Sequence, residues 1–196
     1  PLDVRQAAHS SQWASGPAAL DQPPRQRAPR HTVCGMTDAR QDVPDLTGKS
    51  VLITGGTKNI GLGITRRFLA TGADVVVCAR SAPEEPIRVG DREAHFVATD
   101  VRDAEQCEAL VAAAVERHGR LDILVNNAGG GPPFDSTTAS TRLAERIIAL
   151  NLTSAYFMSV MANRVMRAQD DGGLILNIGS IAGREPLPGT AAYAAA

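Results

Sequence analysis

Residues 50–63 read SVLITGGTKNIGLG, an apolar run that breaks into a glycine-rich turn and then into a helical pattern. After Ser50 the run is almost wholly apolar, which is how a parallel strand buried on both faces reads. Gly55, Gly56, Gly61 and Gly63 supply a tight turn and a helix start open to close approach. The first backbone N–H groups of such a helix have no partner within it and can point at an anion, a pyrophosphate being the obvious candidate. The spacing excludes a P-loop, because Lys58 is followed by Asn59 and Ile60 and not by a hydroxyl residue. It also differs from G-x-G-x-x-G; Thr54-Gly55, three residues, then Asn59-Ile60-Gly61 describes it better. Taken alone, the stretch is either a phosphate-binding turn or a glycine-rich strand-to-helix corner.

Downstream, two apolar periods alternate. Ile60, Ile64, Phe68 and Leu69 share one face of a helix over 61–71 that ends near Gly72. Asp74 to Ala79 (DVVVCA) is a second buried strand, 81–93 with Pro83 and Pro86 a polar surface connection, and Ala94 to Ala98 a third strand in which His95 is a strand-face side chain. Asp103 caps the next helix with Gln106 at the reciprocal position, and Cys107, Leu110, Val111, Ala114 and Val115 trace its buried face. Leu121 to Asn126 is the fourth strand and Leu174 to Ile178 the fifth. Between them runs a long helical region from Thr137 or Thr138, with Leu143, Ile147, Leu150, Ala155, Val160 and Met161 at apolar positions. This alternation predicts an α/β fold: a Rossmann-like doubly wound parallel sheet with helices on both faces. Right-handed crossovers then gather the strand ends at Gly55, Ala79, Asp100, Asn126 and Ser180 on one edge, beyond which a ligand crevice is expected.

Arg80 follows the second strand, where an acidic residue would accept the ribose 2′-hydroxyl of NAD. Together, Arg80 and Lys58 can flank a 2′-phosphate, which favours NADP(H) over NAD(H); otherwise both are solvated surface cations.

A net charge of -1 and a pI near 6.5 give no sign of a nucleic-acid or membrane partner, and no apolar stretch approaches the roughly 20 residues of a membrane span. Cys34, Cys78 and Cys107 share no metal-ligand or redox spacing, so no metal is expected. An odd cysteine count without a signal peptide points to a reducing, cytoplasmic compartment. Residues 1–44 hold six of the twelve prolines and the single tryptophan with no sustained period, which predicts a disordered N-terminal extension ahead of one domain over 45–196. Arg25, Arg27 and Arg30 form a weak basic cluster there that would suit a docking arm. Met36, just before an ordinary domain start, makes vector-derived upstream sequence an alternative. The first residue is proline and the last, YAAA, open a helix; both ends are expected to be cut, leaving the domain C-terminally incomplete.

With these residues in view, the chain resembles the short-chain dehydrogenase/reductase family over about 46–196. Thr54-Gly55, the basic Lys58 and Ile60-Gly61 resemble its cofactor turn, with Asn59 where the family usually has its middle glycine. Asparagine tolerates a left-handed backbone better than most residues. Asp100-Val101 resembles the pair whose side chain and backbone meet the adenine, and Asn126-Asn127-Ala128-Gly129 the signature that shapes the floor of the cofactor site. Asn151 falls where the family asparagine kinks a helix and holds a water. Ser180 and Tyr193 are separated by the thirteen positions the family requires.

The resemblance implies a hydride transfer between NADP(H), with NAD(H) as the alternative, and a small-molecule carbonyl or alcohol. Ser180 would donate to the carbonyl oxygen and Tyr193 would exchange the proton. A phenol with a reference pKa of about 10 needs positive charge nearby to act as a base at neutral pH. The family lysine that supplies it would fall at position 197, one beyond Ala196. The 3-oxoacyl-acyl-carrier-protein reductases and the polyol or glucose dehydrogenases are the most similar branches, and a homodimer or homotetramer is implied for the complete parent. The competing expectation is a shortened, non-catalytic nucleotide-binding or interaction protein. Residues 1–196 alone are expected to be inactive and poorly folded.

Overall fold

The computed structural model describes residues 44–135, 140–185 and 187–196. The run at 50–54 is the central strand β1 (Ser50–Thr54), every residue of it buried. The chain continues through α1 (Asn59–Ala70), β2 (Asp74–Ala79), β3 (Arg88–Val89), β4 (Arg92–Glu93), β5 (His95–Ala98), α2 (Ala104–His118) and β6 (Ile123–Asn126). Next come α3 (Thr141–Ile148), a π-helical segment (Ala149–Thr153), α4 (Ser154–Met166), β7 (Leu174–Asn177), a 3₁₀ turn (Ile181–Gly183) and α5 (Ala191–Ala194). Five parallel strands form one sheet in the order β5-β2-β1-β6-β7.

Alternation along the strands divides the core into two layers. Leu52, Val76, Cys78 and Leu124 face α2 and α4, against Cys107, Leu110, Val111, Ala114, Met158 and Ala162. Val51, Ile53, Val75, Val77 and Val125 face the other way, against Leu69 of α1, with Ile87 and Ala94 completing that layer. Each large side chain fully buried here contributes about 1.5 to 3 kcal/mol, so the doubly covered centre of the sheet dominates stability. The sheet is less well covered at β7, an edge strand whose Leu174 and Leu176 are exposed.

Three sequence expectations are corrected. The connection over 81–93 is not wholly irregular, since β3 and β4 pair antiparallel, Arg88 with Glu93 and Val89 with Arg92; two-residue strands are too short to carry a period. Asp103 does cap α2, accepting from the Glu105 and Gln106 amides at 3.0 and 3.2 Å. Gln106 does not return the contact to the Asp103 amide: its side-chain carbonyl accepts from the Asp100 amide at 2.9 Å, while the Asp103 amide bonds the Asp100 carbonyl. Gly63 is exposed on α1, and a side chain there would meet open space, so the fold does not require glycine at that position. The proposed helix starts at Thr137 and Thr138 lie outside the described residues, as do Cys34 and the extension over 1–43; α3 is capped by Ser140, which accepts from the Leu143 amide. The two described cysteines are free and buried, and burial pushes the Cys78 thiol up to about 12 and the Cys107 thiol to about 11.

The sheet edge opposite the strand C-termini is held by charge. Asp122, 7% exposed, accepts from the Ser50 amide at 2.9 Å, Lys49 Nζ at 3.1 Å and Arg120 Nε at 2.7 Å. Asp171 bonds the same two cations at 3.2 and 3.0 Å. Burial alone would raise the Asp122 carboxyl, but Arg120, the Ser50 amide and Lys49 outweigh it and hold it below the usual carboxylate range. A depressed carboxylate stabilises the fold fully above its unfolded value of about 3.9 and loses that stabilisation as pH falls through its folded value. Asp122→Asn removes the charge and leaves two cations facing it. A loss of about 2 to 3 kcal/mol is expected at pH 7 in urea unfolding, reduced from the figure for a fully buried pair because Lys49 and Arg120 are one-third exposed. The gap between parent and variant should narrow in acid; a constant gap down to the acid transition would exclude the carboxylate as its source.

Candidate active site

The order of the sheet reverses direction between β1 and β6: β2 and β5 follow on one side of β1, β6 and β7 on the other. Loops leaving adjacent strands at such a point diverge and open a crevice at the strand C-termini. Thr54 and Asn127 tie its two banks together. Thr54 Oγ1 accepts from the Asn127 and Ala128 amides, both at 3.0 Å, and Asn127 Nδ2 donates to the carbonyls of Thr54 and Gly55 at 2.9 and 3.1 Å.

The turn between β1 and α1 is built by close backbone approach. Gly55 has φ 65°, and a side chain on Gly61 would fall 2.1 Å from the Gly55 carbonyl oxygen. Thr65 Oγ1, fully buried, closes the turn with contacts at 2.9 Å to the carbonyls of Gly56 and Gly61. Asn59 takes φ 49°, the one positive φ at a non-glycine among the described residues, so asparagine adopts the left-handed backbone expected of it. No side chain caps α1 and its first turn holds no acidic residue, leaving its positive end available to an anion.

A cavity of about 610 Å³ occupies this crevice. It brings together Gly55, Lys58, Asn59, Ile60, Gly61, Arg80, Asp100, Val101, Asn127, Ala128 and Gly129. Thr54 does not line it; that residue is buried and braces the opposite bank. Thr57, Ser81, Thr99 and Arg102 also line the cavity and carried no periodic or motif signal in the sequence; Leu150, one of the apolar positions of the long helical region, lines it as well. Lys58 and Arg80 are exposed, and among the described residues neither enters an ion pair. Asp100 is different: both its oxygens are taken by Arg102, which holds the carboxyl down at about 2 against the effect of burial.

Asn151 lies within the π-helical segment, where the ladder between α3 and α4 loosens. Its side chain makes three hydrogen bonds: Oδ1 accepts from the Gly130 amide at 2.7 Å, and Nδ2 donates to the carbonyls of Gly130 and Ile147 at 3.0 and 2.8 Å. The amide therefore clamps the 129–131 loop to the helix. At the end of β6, Asn126 Nδ2 donates to Ser159 and Asn177, while its buried Oδ1 has no partner among the described residues.

Ser180 and Tyr193 stand outside the lining of the large cavity. Ser180 is exposed and caps the 3₁₀ turn, its Oγ accepting from the Ala182 amide at 3.2 Å. No described residue accepts the Ser180 hydroxyl proton in return, so that group is available as a donor. Tyr193, half-buried on α5, belongs to a helix that packs against this turn and against α3.

The cradle fits a dinucleotide: its glycines let the turn close tightly against Asn127, Ala128 and Thr65, a helix N-terminus beside the cavity stands uncapped, and two cations line the cavity. Among the described residues no cluster of three or more His, Cys, Asp or Glu is placed to hold a metal ion, and no helix is long and apolar enough to cross a membrane.

Comparison with known proteins agrees with this architecture. The family model for short chain dehydrogenases matches residues 49–196. An uncharacterized oxidoreductase of Mycobacterium tuberculosis is 37% identical over 160 residues, covering 79% of this chain and 61% of that protein. The cyclic-di-GMP-binding biofilm dispersal mediator protein of Escherichia coli is 39% identical over 151 residues, covering 76% and 61%. The solved NADH-dependent reductase A1-R' complexed with NAD superimposes with a TM-score of 0.73 at 31% identity, over 78% of this chain and 68% of that one. The chain thus spans about three-fifths of the length of those curated relatives. Residues 49–196, with their parallel sheet and glycine cradle at the β1/β6 reversal, belong to the short-chain dehydrogenase family.

Proposed function

We propose that the full-length protein is an oxidoreductase that transfers hydride between NADP(H) and a small carbonyl or alcohol. The observation that carries this reading is the cavity at the β1/β6 reversal, with an uncapped helix N-terminus on one wall and two cations beside it, Lys58 and Arg80, that form no ion pair among the described residues. Gly55, Asn59, Ile60 and Gly61 hold the pyrophosphate through backbone N–H groups. Asn127, Ala128 and Gly129 support the nicotinamide half, with Asn151 positioning the loop that follows them. A bound reduced nicotinamide supplies the hydride. Ser180 donates a hydrogen bond to the substrate oxygen, where negative charge grows, keeping its own proton, and Tyr193 delivers the one proton that oxygen takes up. In oxidation Tyr193 accepts the alcohol proton. Two branches among the relatives fit this chemistry, an L-fucose dehydrogenase and polyketide ketoacyl reductases, in keeping with a sugar, polyol or 3-oxoacyl substrate. The protein acts in the cytoplasm as a homodimer or homotetramer.

The cofactor preference has a direct test. Ala79 offers no carboxylate to the ribose, and a phosphate between two cations gains charged hydrogen bonds. Arg80→Ala should cost about 1.5 to 3 kcal/mol in binding NADPH and little in binding NADH. Equal losses for the two would remove Arg80 from the phosphate site, and a parent that prefers NADH would overturn the subclass.

A non-catalytic nucleotide-binding role is the second reading, favoured by the relative named for cyclic-di-GMP binding. Lys58, Arg80 and the helix N-terminus suit any phosphorylated ligand. Binding of cyclic-di-GMP without turnover on any of a panel of ketones and alcohols would make that reading the leading one.

A further inference from the structure

The crossover from β2 to β5 contains no helix. Parallel neighbours are ordinarily joined through a helix lying on one face of the sheet, but residues 80–94 run through the β3/β4 ribbon instead. Two-residue strands cover less of the sheet than a helix does, and a second cavity of about 440 Å³ opens between this connection, β5 and the last turn of α2. It shares no lining residue with the large crevice and sits at the start of β5, whereas the crevice opens at the strand C-termini.

Its walls are of two kinds. Val77, Pro83, Ile87, Ala94 and Phe96 form an apolar slot, of which Val77, Ile87 and Ala94 are buried. Arg117 and His95 form the polar side. Arg117 enters no ion pair among the described residues. Burial and the Arg117 charge together hold the His95 imidazole below its usual range, so the ring is neutral at pH 7 and can donate one N–H. Glu93, the one carboxylate in the lining, is paired with Arg88, 2.7 Å from Nε and 2.6 Å from Nη2. The edge of β5 adds a backbone donor. The Ala94 amide turns outward to the Ile87 carbonyl and the Thr99 amide inward to Ala79. Alternate residues of a parallel strand turn the same way, so the Phe96 amide faces the open edge, and no described residue accepts from it.

We propose that this cavity is a second ligand site, separate from the large crevice, that takes a small aliphatic carboxylate with its chain in the slot and its head on Arg117. A guanidinium, an imidazole N–H and a backbone amide are all donors, and a carboxylate only accepts. One free cation near the paired Glu93 suits a singly charged head better than a phosphate dianion, which Glu93 repels more strongly. The volume falls within the range of about 300 to 1,000 Å³ usual for small-molecule sites. The inference is independent of the dinucleotide reading.

The test is an NMR titration of the full-length protein with hexanoate, followed at the Phe96 amide and the His95 ring. Acetate, 1-hexanol and hexyl phosphate are the comparison probes, and these need no variant. Hexanoate should move both resonances with a dissociation constant of about 1 mM or tighter, as expected of so small a ligand. Acetate lacks the chain and hexanol the charge, so each should bind at least about tenfold more weakly. Hexyl phosphate should gain less than about tenfold over hexanoate. Arg117→Gln, at an exposed position, should weaken hexanoate by about tenfold and leave hexanol unchanged, with the urea midpoint checking that the fold is intact. Weaker binding of hexanoate to the parent overturns the proposal. Hexanol binding as tightly as hexanoate, or an unchanged hexanoate constant in Arg117→Gln, would reduce the cavity to an apolar patch and overturn it too. A larger gain for hexyl phosphate would overturn the carboxylate assignment. Shifts confined to residues 55–61 would place the ligand in the large crevice and leave no second site.

Discussion

Tyr193→Phe in the full-length protein is expected to lower turnover by about 10³-fold, with less than a threefold change in the dissociation constant for NADPH. The magnitude lies within the range of about 10² to 10⁴ for removing a positioned acid–base group. The ring keeps its packing on α5, which contacts both α3 and the 3₁₀ turn beginning after Ser180, so the loss is chemical and not structural. Ser180→Ala should cost about 100-fold or more through the lost donor to the substrate oxygen. Its Oγ already accepts from the Ala182 amide, and a hydroxyl that accepts one hydrogen bond donates a stronger second one. The alanine variant also loses that cap contact, at about 1 kcal/mol, so its stability must be measured beside its rate. Single-turnover hydride transfer isolates the chemical step from product release. Near-parental rates in both variants would sink the assignment of these two residues, even with the nucleotide cavity intact.

How much of this was legible in the sequence follows from the range of the forces involved. The central strand and the turn after it were legible because burial on both faces removes alternation from 51–53, and because glycines at 55 and 61 have a steric cause. The strand limits at Asp74 and Ala79 agree with the observed β2, since β-branched residues bounded by a left-handed Gly72 leave little choice. Sheet order was not legible. It depends on which strand packs beside β1, a comparison between distant segments that no local pattern carries, yet it is what creates the crevice.

The site was legible where the chemistry sits on strand ends and invisible where it depends on side chains choosing partners. Arg102 stands two residues after Asp100 in a loop, with no period to mark it. Gln106 occupies the reciprocal capping position, but the Asp103 amide is already bonded to the Asp100 carbonyl, so the glutamine side chain turns to the free amide at Asp100. Thr54 looked like part of the cofactor turn because it adjoins Gly55, and alternation sent its side chain toward β6 instead. Among the glycines, the turn motif includes Gly61 and leaves out Gly63, and the backbone separation gives that distinction its steric cause.

That distinction makes the other large prediction. A Cβ on Gly61 would lie 2.1 Å from the Gly55 carbonyl oxygen and 2.6 Å from Asn127 Nδ2, far inside contact distance. The carbonyl is backbone, and Asn127 is fixed by its bond to the same oxygen, so no side-chain rotation relieves the clash. Gly61→Ala must push α1 away from the turn, breaking the Thr65 contacts that hold the carbonyls of Gly56 and Gly61. Overpacking with backbone displacement costs about 3 kcal/mol or more, and a chain of this size should then lose roughly 6 to 12 °C in thermal midpoint. Dinucleotide binding should disappear with it, because the helix N-terminus is carried off its position. Gly63→Ala, two residues along the same helix, meets open space and should raise stability by about 0.5 to 1 kcal/mol, as replacing a helical glycine does. Opposite signs from one methyl group at neighbouring positions would have no explanation in helix propensity, which treats both sites alike, and would fix the close approach of Gly61 to Gly55 as the cause. Equal thermal midpoints for the two variants would mean that the turn does not close in this way, and the cradle argued from it would have to be abandoned.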